Sequence, residues 1–148
     1  MKFSGLLFVI AALAMADGPG KVDLWHGAKV VSEALPAGPG LETAVLAKYE
    51  NHSVMVIRRQ KTGQVELHQT QTDIMIVESG SGELRTGGTM PDAKTTAPHE
   101  LRSDEMKGGM SRHVVPGDLI HIPANVSHQV VLKPGETIDY VTIKVDAR

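Results

Sequence analysis

The chain has 148 residues, a length that suits one domain built around one hydrophobic core. Hydrophobic residues make up 41% and charged residues 22%, as in ordinary soluble proteins, and the formal net charge is only −2. The lack of a basic surplus and the 3% of aromatic residues argue against nucleic-acid binding, and the lack of cysteine excludes disulfides and thiolate metal sites.

The first 16 residues have the pattern of a secretory signal peptide. Lys2 supplies a positive charge, residues 3–14 are almost entirely apolar, and Ala14-Met15-Ala16 has the small-x-small cleavage pattern. The apolar run is shorter than the ~20 residues that span a membrane. The alternative, a buried N-terminal helix, is disfavoured because Asp17-Gly18-Pro19-Gly20 would break it. We therefore predict a periplasmic or secreted protein with no membrane insertion after cleavage.

The rest of the chain divides into a leader and a barrel. Residues 17–40 are predicted to form a leader with a short helix over 23–35, capped by Asp23. From residue 41 to 148, short apolar or alternating runs are separated by turn residues, which predicts an antiparallel β-sandwich or barrel. Nine strands are predicted, over residues 44–49, 53–59, 65–68, 74–77, 83–85, 111–115, 119–122, 127–132 and 137–145. The polar segment 87–110 is predicted to be a long loop, either a functional lid or a mobile excursion.

Two residues on one predicted strand have side chains suited to a metal ion. Glu66 and His68 are two positions apart, so their side chains lie on the same face of the strand, with Cα atoms roughly 6.5–7 Å apart. Asp73 follows after a segment long enough to turn the chain back. His128 lies far along the chain, at the start of another strand after the Pro123 turn.

These residues lie in two segments that resemble the paired motifs of the cupin superfamily. The first segment contains Gly63, Glu66, His68, Asp73 and Gly82, and the second contains Gly117, Pro123, Asn125 and His128. In the first motif, Glu66 stands where the family has its first histidine, and Asp73 stands where it has glutamate. In the second motif, Asn125 replaces a turn glycine, a mild change because asparagine tolerates left-handed backbone. The resemblance covers residues 54–145 and extends to small exported single-domain bacterial cupins.

The resemblance implies a cupin-type double-stranded β-helix, or jelly roll, and a divalent metal site. Glu66, His68 and His128, with Asp73 as a ligand or as a group that orients one, would suit Fe, Mn, Ni or Zn. With Glu66 as the single charged ligand, the centre keeps a positive charge and attracts an anionic, chelating small molecule. The alternative is that Glu66 and His68 form a polar pair at the barrel mouth and that His128 is a buried, hydrogen-bonded histidine.

The leading functional hypothesis is a metal-dependent small-molecule enzyme of the cell envelope, acting as an oxidoreductase, lyase or isomerase. Glu66 and His121 are its candidate proton carriers, although His121 could equally pack outward. The alternative is a non-catalytic cupin that binds a small ligand, with a vestigial metal site or none. Lys144 is interpreted as an exposed, solubilising charge. By analogy with the family, a homodimer is the expected assembly, because cupins often pair through edge strands.

Overall fold

The computed structural model describes residues 22–35 and 40–147, so the predicted signal peptide lies outside the described residues. Within these residues, the chain forms one short helix, α1 (Gly27–Ala34), and eleven strands. The strands are β1 (Leu41–Lys48), β2 (His52–Arg59), β3 (Val65–His68), β4 (Gln71–Gly80), β5 (Gly82–Thr86), β6 (Lys94–Ala97), β7 (Glu100–Ser103), β8 (Met110–Val114), β9 (Leu119–Ile122), β10 (His128–Val131) and β11 (Ile138–Asp146). All nine predicted strands are present, with ends shifted by a few residues. The described part of the chain has no helix of the length and apolarity needed to span a membrane.

The strands form two antiparallel sheets. The first sheet has the order β1-β2-β11-β4-β9, and the second has the order β6-β7-β3-β10-β5-β8. The predicted all-β, jelly-roll class is confirmed. Apolar side chains from both sheets meet in one core, formed by Ile57, Met75, Val77, Leu84, Val114, Ile122, Val130, Leu132, Ile138 and Tyr140.

The N-terminal helix packs on the outer face of the first sheet. Val30, Val31 and Leu35 are buried there, against Ala44 of β1 and Val56 of β2. The helix begins later than predicted, with His26 at the N-cap position. Asp23 does not cap it, because the Asp23 carboxylate accepts a hydrogen bond from the Tyr49 hydroxyl.

The prediction of an uninterrupted loop over residues 87–110 is wrong. Strands β6 and β7 lie within this segment and pair with each other, and β7 also pairs with β3. The polarity of the segment concealed β6, because all four of its residues are exposed and show no alternation. The consequence for the site is direct, since this hairpin places two charged residues of β7 beside the predicted metal ligands on β3.

The turn before β10 has the backbone that the second motif requires. Asn125 has a φ of 64°, in the left-handed region that favours glycine and tolerates asparagine. Its backbone N–H donates to the His68 carbonyl at 2.8 Å, and its side-chain amide donates to the Gln69 carbonyl at 3.1 Å. These bonds tie the turn that precedes His128 to the end of β3, where His68 lies.

Candidate metal centre

The predicted ligands Glu66, His68 and His128 converge on one point between the sheets. One donor atom from each residue lies within 4.8 Å of the others. Sheet register explains the convergence, because His128 on β10 is directly opposite Glu66 on β3. Both histidines are buried and Glu66 is largely so, with side-chain exposures of 3%, 6% and 12% for His68, His128 and Glu66.

Each histidine is oriented by a hydrogen bond at its outer nitrogen. The Nδ1–H of His68 donates to the Glu100 carboxylate, which lies directly opposite it on β7. The Nδ1–H of His128 donates to the Val126 carbonyl at 3.1 Å. Both Nε2 atoms therefore face the centre, which is the arrangement that supporting hydrogen bonds produce around histidine metal ligands.

Glu66 divides its two oxygens between two environments. Its Oε1 atom accepts a hydrogen bond from Arg59 Nη2 at 2.9 Å and forms an ion pair with Arg102, whose Nη1 atom lies 2.6 Å away. Its Oε2 atom lies 3.6 Å from the Nε2 of His68 and 3.9 Å from that of His128. Burial alone would raise the pKa of Glu66, but the charges of Arg102 and Arg59, together with smaller contributions from His128 and His68, outweigh burial and lower it. Glu66 is therefore an ionised carboxylate, suited to bind a cation and poorly suited to accept a proton.

Asp73 and Lys144 add a second charged pair from the first sheet, where they are directly opposite each other on β4 and β11. Lys144 Nζ lies 3.0 Å from Asp73 Oδ1 and 2.8 Å from His68 Nε2. The interpretation of Lys144 as an exposed charge is wrong, because Tyr140, Thr142 and Lys144 alternate toward the barrel interior and Lys144 is only 18% exposed. Its ammonium thus occupies part of the space that a metal ion would share with His68.

Asp73 lies closer to the histidines than an outer supporting group would. Its Oδ2 atom is 3.2 Å from His68 Nε2 and 3.5 Å from His128 Nε2. Burial would raise the pKa of Asp73, but its hydrogen bond with His68 and the charge of Lys144 lower the pKa to about 2. Of the two roles that the resemblance implied for Asp73, its position fits that of a fourth ligand, and Glu100 is the group that orients His68.

The two histidines differ in how readily they take a proton. Burial lowers the pKa of His128, which favours the neutral, metal-binding form. Burial also lowers the pKa of His68, but its contacts with Asp73 and Glu100 outweigh burial and the Lys144 charge and raise it. A metal ion at His68 must displace either a proton or the Lys144 ammonium from the same nitrogen.

The prediction that His121 could carry protons inside the barrel is corrected by the structure. His121 on β9 is exposed, whereas its neighbour Ile122 is 3% exposed and belongs to the core. Because side chains alternate along a strand, the inward position of Ile122 places His121 on the outer surface. His121 therefore has no contact with the site.

The space beside these groups is small. A cavity of about 30 Å³ is bordered by Glu66, Asp73, His128 and Lys144, and by the apolar side chains of Ile57 and Met75. That volume holds roughly one water molecule or one ion. Any organic ligand must therefore lie largely outside this inner cavity.

Comparison with known proteins identifies the fold. No protein-family model matches the chain, and no curated protein matches it significantly. An uncharacterised conserved protein with a double-stranded β-helix domain from Klebsiella pneumoniae subsp. pneumoniae has a TM-score of 0.61 at 15% identity, over 86% of this chain and 93% of that one. A cupin 2 conserved barrel domain protein from Rhodopseudomonas palustris has a TM-score of 0.51 at 17% identity, over 73% of this chain and 62% of that one. The chain has the cupin fold.

A third cupin-fold neighbour is the polyketide cyclase RemF from Streptomyces resistomycificus, with a TM-score of 0.55 at 18% identity, over 84% of this chain and 80% of that one. At such identities, the similarity concerns the fold alone. The chain spans less than two thirds of the Rhodopseudomonas protein. The cupin resemblance predicted from the two motifs is therefore confirmed for architecture, and function must be argued from the site.

The residues of this cupin site fit a divalent cation. Two histidines with inward Nε2 atoms and one ionised carboxylate form the donor set that suits Fe, Mn, Ni or Zn. All three donors were predicted from the sequence, whereas four charged neighbours were not assigned to the site: Arg59, Glu100, Arg102 and Lys144. Alternation groups Lys144 with Tyr140 and Thr142 on one face of β11, but it does not say that this face is the inner one.

Proposed function

We propose that this protein is a metal-binding cupin of the cell envelope that holds a small, oxygen-rich, anionic molecule. The observation that supports metal binding is the inward-facing donor set of Glu66, His68 and His128, with both histidines oriented through Nδ1. The cell-envelope location rests on the signal-peptide pattern of residues 1–16. A homodimer remains the expected assembly.

A bound metal would supply a Lewis acid that holds and polarises an oxygen donor. The chain's own residues contribute binding and charge more clearly than proton transfer. Glu66 is ionised and paired with two arginines, the low pKa of Asp73 makes it a weak base, and His121 lies outside the site. This distribution favours ligand capture over acid–base catalysis at neutral pH.

A second candidate is a cupin that binds its ligand without metal. The observation that favours it is the Lys144 ammonium, which lies within hydrogen-bond distance of both His68 and Asp73. In that case Lys144 is the permanent cation of the site, and its charge replaces the charge that a metal would bring.

The deciding experiment is a metal analysis of protein purified without an affinity tag. We expect one divalent ion per chain after equilibration with Zn²⁺ or Mn²⁺, and a lower melting temperature after chelation, because a ligand that binds only the folded state stabilises it. His68→Ala and His128→Ala should each abolish binding, whereas the exposed His121→Ala should bind normally. A wild-type protein that takes up no stoichiometric metal and does not respond to chelator would support the second candidate instead.

A further inference from the structure

A second, larger cavity lies on the other side of Glu66 from the histidines. It has a volume of about 260 Å³ and shares Arg59 and Glu66 with the inner cavity. Its remaining wall comes from the start of β1, the turn between β2 and β3, and Arg102 of β7. We call it the cationic pocket, defined by Arg59, Lys61, Gly63 and Arg102.

Positive charge exceeds negative charge in the cationic pocket. Arg59, Lys61 and Arg102 line it together with one carboxylate, that of Glu66. Glu100 also lies near Arg102, at 3.5 Å from its Nη2 atom, but Glu100 is shared with His68. The groups that line the pocket, three cations and one carboxylate, carry a surplus of two positive charges, and Asp104, which accepts from Gln64 at 2.7 Å, lies outside the lining as Glu100 does.

The guanidinium of Arg59 is held in place rather than free in solvent. Arg59 is only 7% exposed, and its Nε–H donates to the Tyr140 hydroxyl at 2.8 Å. Gly63 makes room for it, because a Cβ at that position would lie 2.3 Å from Arg59 Nη1. Gly63 is itself held by its N–H bond to the Val130 carbonyl at 3.1 Å. A fixed guanidinium binds an oxyanion with little loss of side-chain entropy.

The size of the cationic pocket limits the ligand. Its volume is below the ~300 Å³ at which pockets for drug-sized molecules begin, so it suits a compact group. Guanidinium groups pair with carboxylate and phosphate oxygens through parallel N–H···O bonds. The exposed Lys61 adds a mobile positive charge at the pocket edge.

We propose that the cationic pocket binds the oxyanion group, carboxylate or phosphate, of a small molecule. This inference deepens the proposed function by assigning a place to the anionic part of the ligand, outside the 30 Å³ inner cavity. It rests on that function only for the idea that the ligand is anionic. The arginine and lysine charges are present with or without a metal ion.

The test is a titration of the full chain, first stripped of metal with EDTA and then dialysed free of EDTA, with sodium malonate and, separately, with inorganic phosphate, at constant ionic strength. Binding is followed by calorimetry and by the backbone amide NMR signals of Gly63 and Gln64. We expect saturable binding of at least one probe. Malonate binding alone identifies a carboxylate ligand, phosphate binding alone identifies a phosphate ester, and binding of both identifies a general oxyanion site.

Two variants and one control make the assignment specific. Arg102→Gln and Lys61→Gln should each weaken binding, by about tenfold for the arginine and less for the exposed lysine. If Arg102→Gln fails to fold, Lys61→Gln still tests the pocket, because Lys61 is exposed at a turn and its substitution should leave the fold intact. Lys48→Gln removes an exposed charge at the far end of β1 and should bind like the wild type.

The inference is overturned if neither probe saturates, or if Lys48→Gln weakens binding as much as Lys61→Gln. Because the protein is metal-free, these results are separate from the metal analysis. Saturable probe binding by a protein that takes up no metal would support the cationic pocket and contradict the proposed metal site. Stoichiometric metal uptake without probe binding would support the metal site and contradict the cationic pocket.

Discussion

Replacing Lys144 with methionine should increase the affinity of the site for divalent metal. In the wild-type protein, the ammonium donates to Asp73 Oδ1 at 3.0 Å and, when His68 is neutral, to its Nε2 atom at 2.8 Å. A metal ion that binds His68 must break the bond to His68, and its charge repels the ammonium from Asp73. Methionine has a similar length and no charge, so it leaves the histidine nitrogen free.

The size of the effect follows from these two contacts. Hydrogen bonds to charged groups contribute about 1.5–3 kcal/mol each, and the displaced ammonium recovers part of this in water because its side chain is 18% exposed. If displacing the ammonium costs a net of about 3 kcal/mol, its removal by substitution should raise the metal affinity about a hundredfold. The same substitution leaves Asp73 without its cation, so the metal-free variant should lose about 2 kcal/mol of unfolding free energy.

Calorimetric titration with Zn²⁺ measures the affinity, and thermal unfolding in EDTA measures the stability of the metal-free form. Lys48→Met serves as the matched control, because Lys48 is exposed at the end of β1. The expected pattern is opposite in sign for the two measurements, with tighter metal binding and a lower melting temperature without metal. If Lys144→Met binds metal no more tightly than the wild type, the ammonium does not compete for the site and the reasoning fails.

Three further predictions concern the groups around the donors. Glu100→Gln should weaken metal binding by about tenfold or more, because it removes the carboxylate that orients His68, and an unchanged calorimetric affinity would contradict that role. Asp73 has a folded-state pKa of about 2 against 3.8 when unperturbed, so its stabilisation is present above pH 3.8 and is lost as the pH falls through about 2. Urea unfolding of metal-free protein across that window should show a loss of about 2 kcal/mol from this group, and Asp73→Asn should lack it. Gly63→Ala should cost about 1–3 kcal/mol in urea unfolding, since its Cβ would displace Arg59; equal stability would show that Arg59 moves freely.

Features that depend only on residues close together in the chain were predictable from the sequence. Glu66 and His68 share a face because they are two apart on a strand, and β3 has the bounds that the sequence predicted. The Asn125 turn could be inferred from residue type, because asparagine tolerates the left-handed backbone found there. In both cases the relevant physical chemistry acts within a few residues.

The misjudged residues depend on which way a strand faces. His121 lies between Ile120 and Ile122, which share the opposite face of a four-residue strand, and alternation alone does not say which of the two faces is turned toward the core. Lys144 lies on an inner face that also contains Tyr140 and Thr142, a polar sequence typical of an exposed face. Here the interior is polar because it contains the site, so polarity no longer distinguishes inside from outside.

The sequence by itself determined the barrel class and the three donor positions, because strand period, turn chemistry and motif spacing are local properties. Tertiary structure alone decided which charges surround those donors. Glu100 and Arg102 lie beside the site because β7 pairs with β3 in a register that places them opposite His68 and Glu66. Lys144 reaches His68 because its own sheet faces the sheet that contains the histidine. Pairing register and sheet packing join residues far apart in the chain, and no local pattern encodes them.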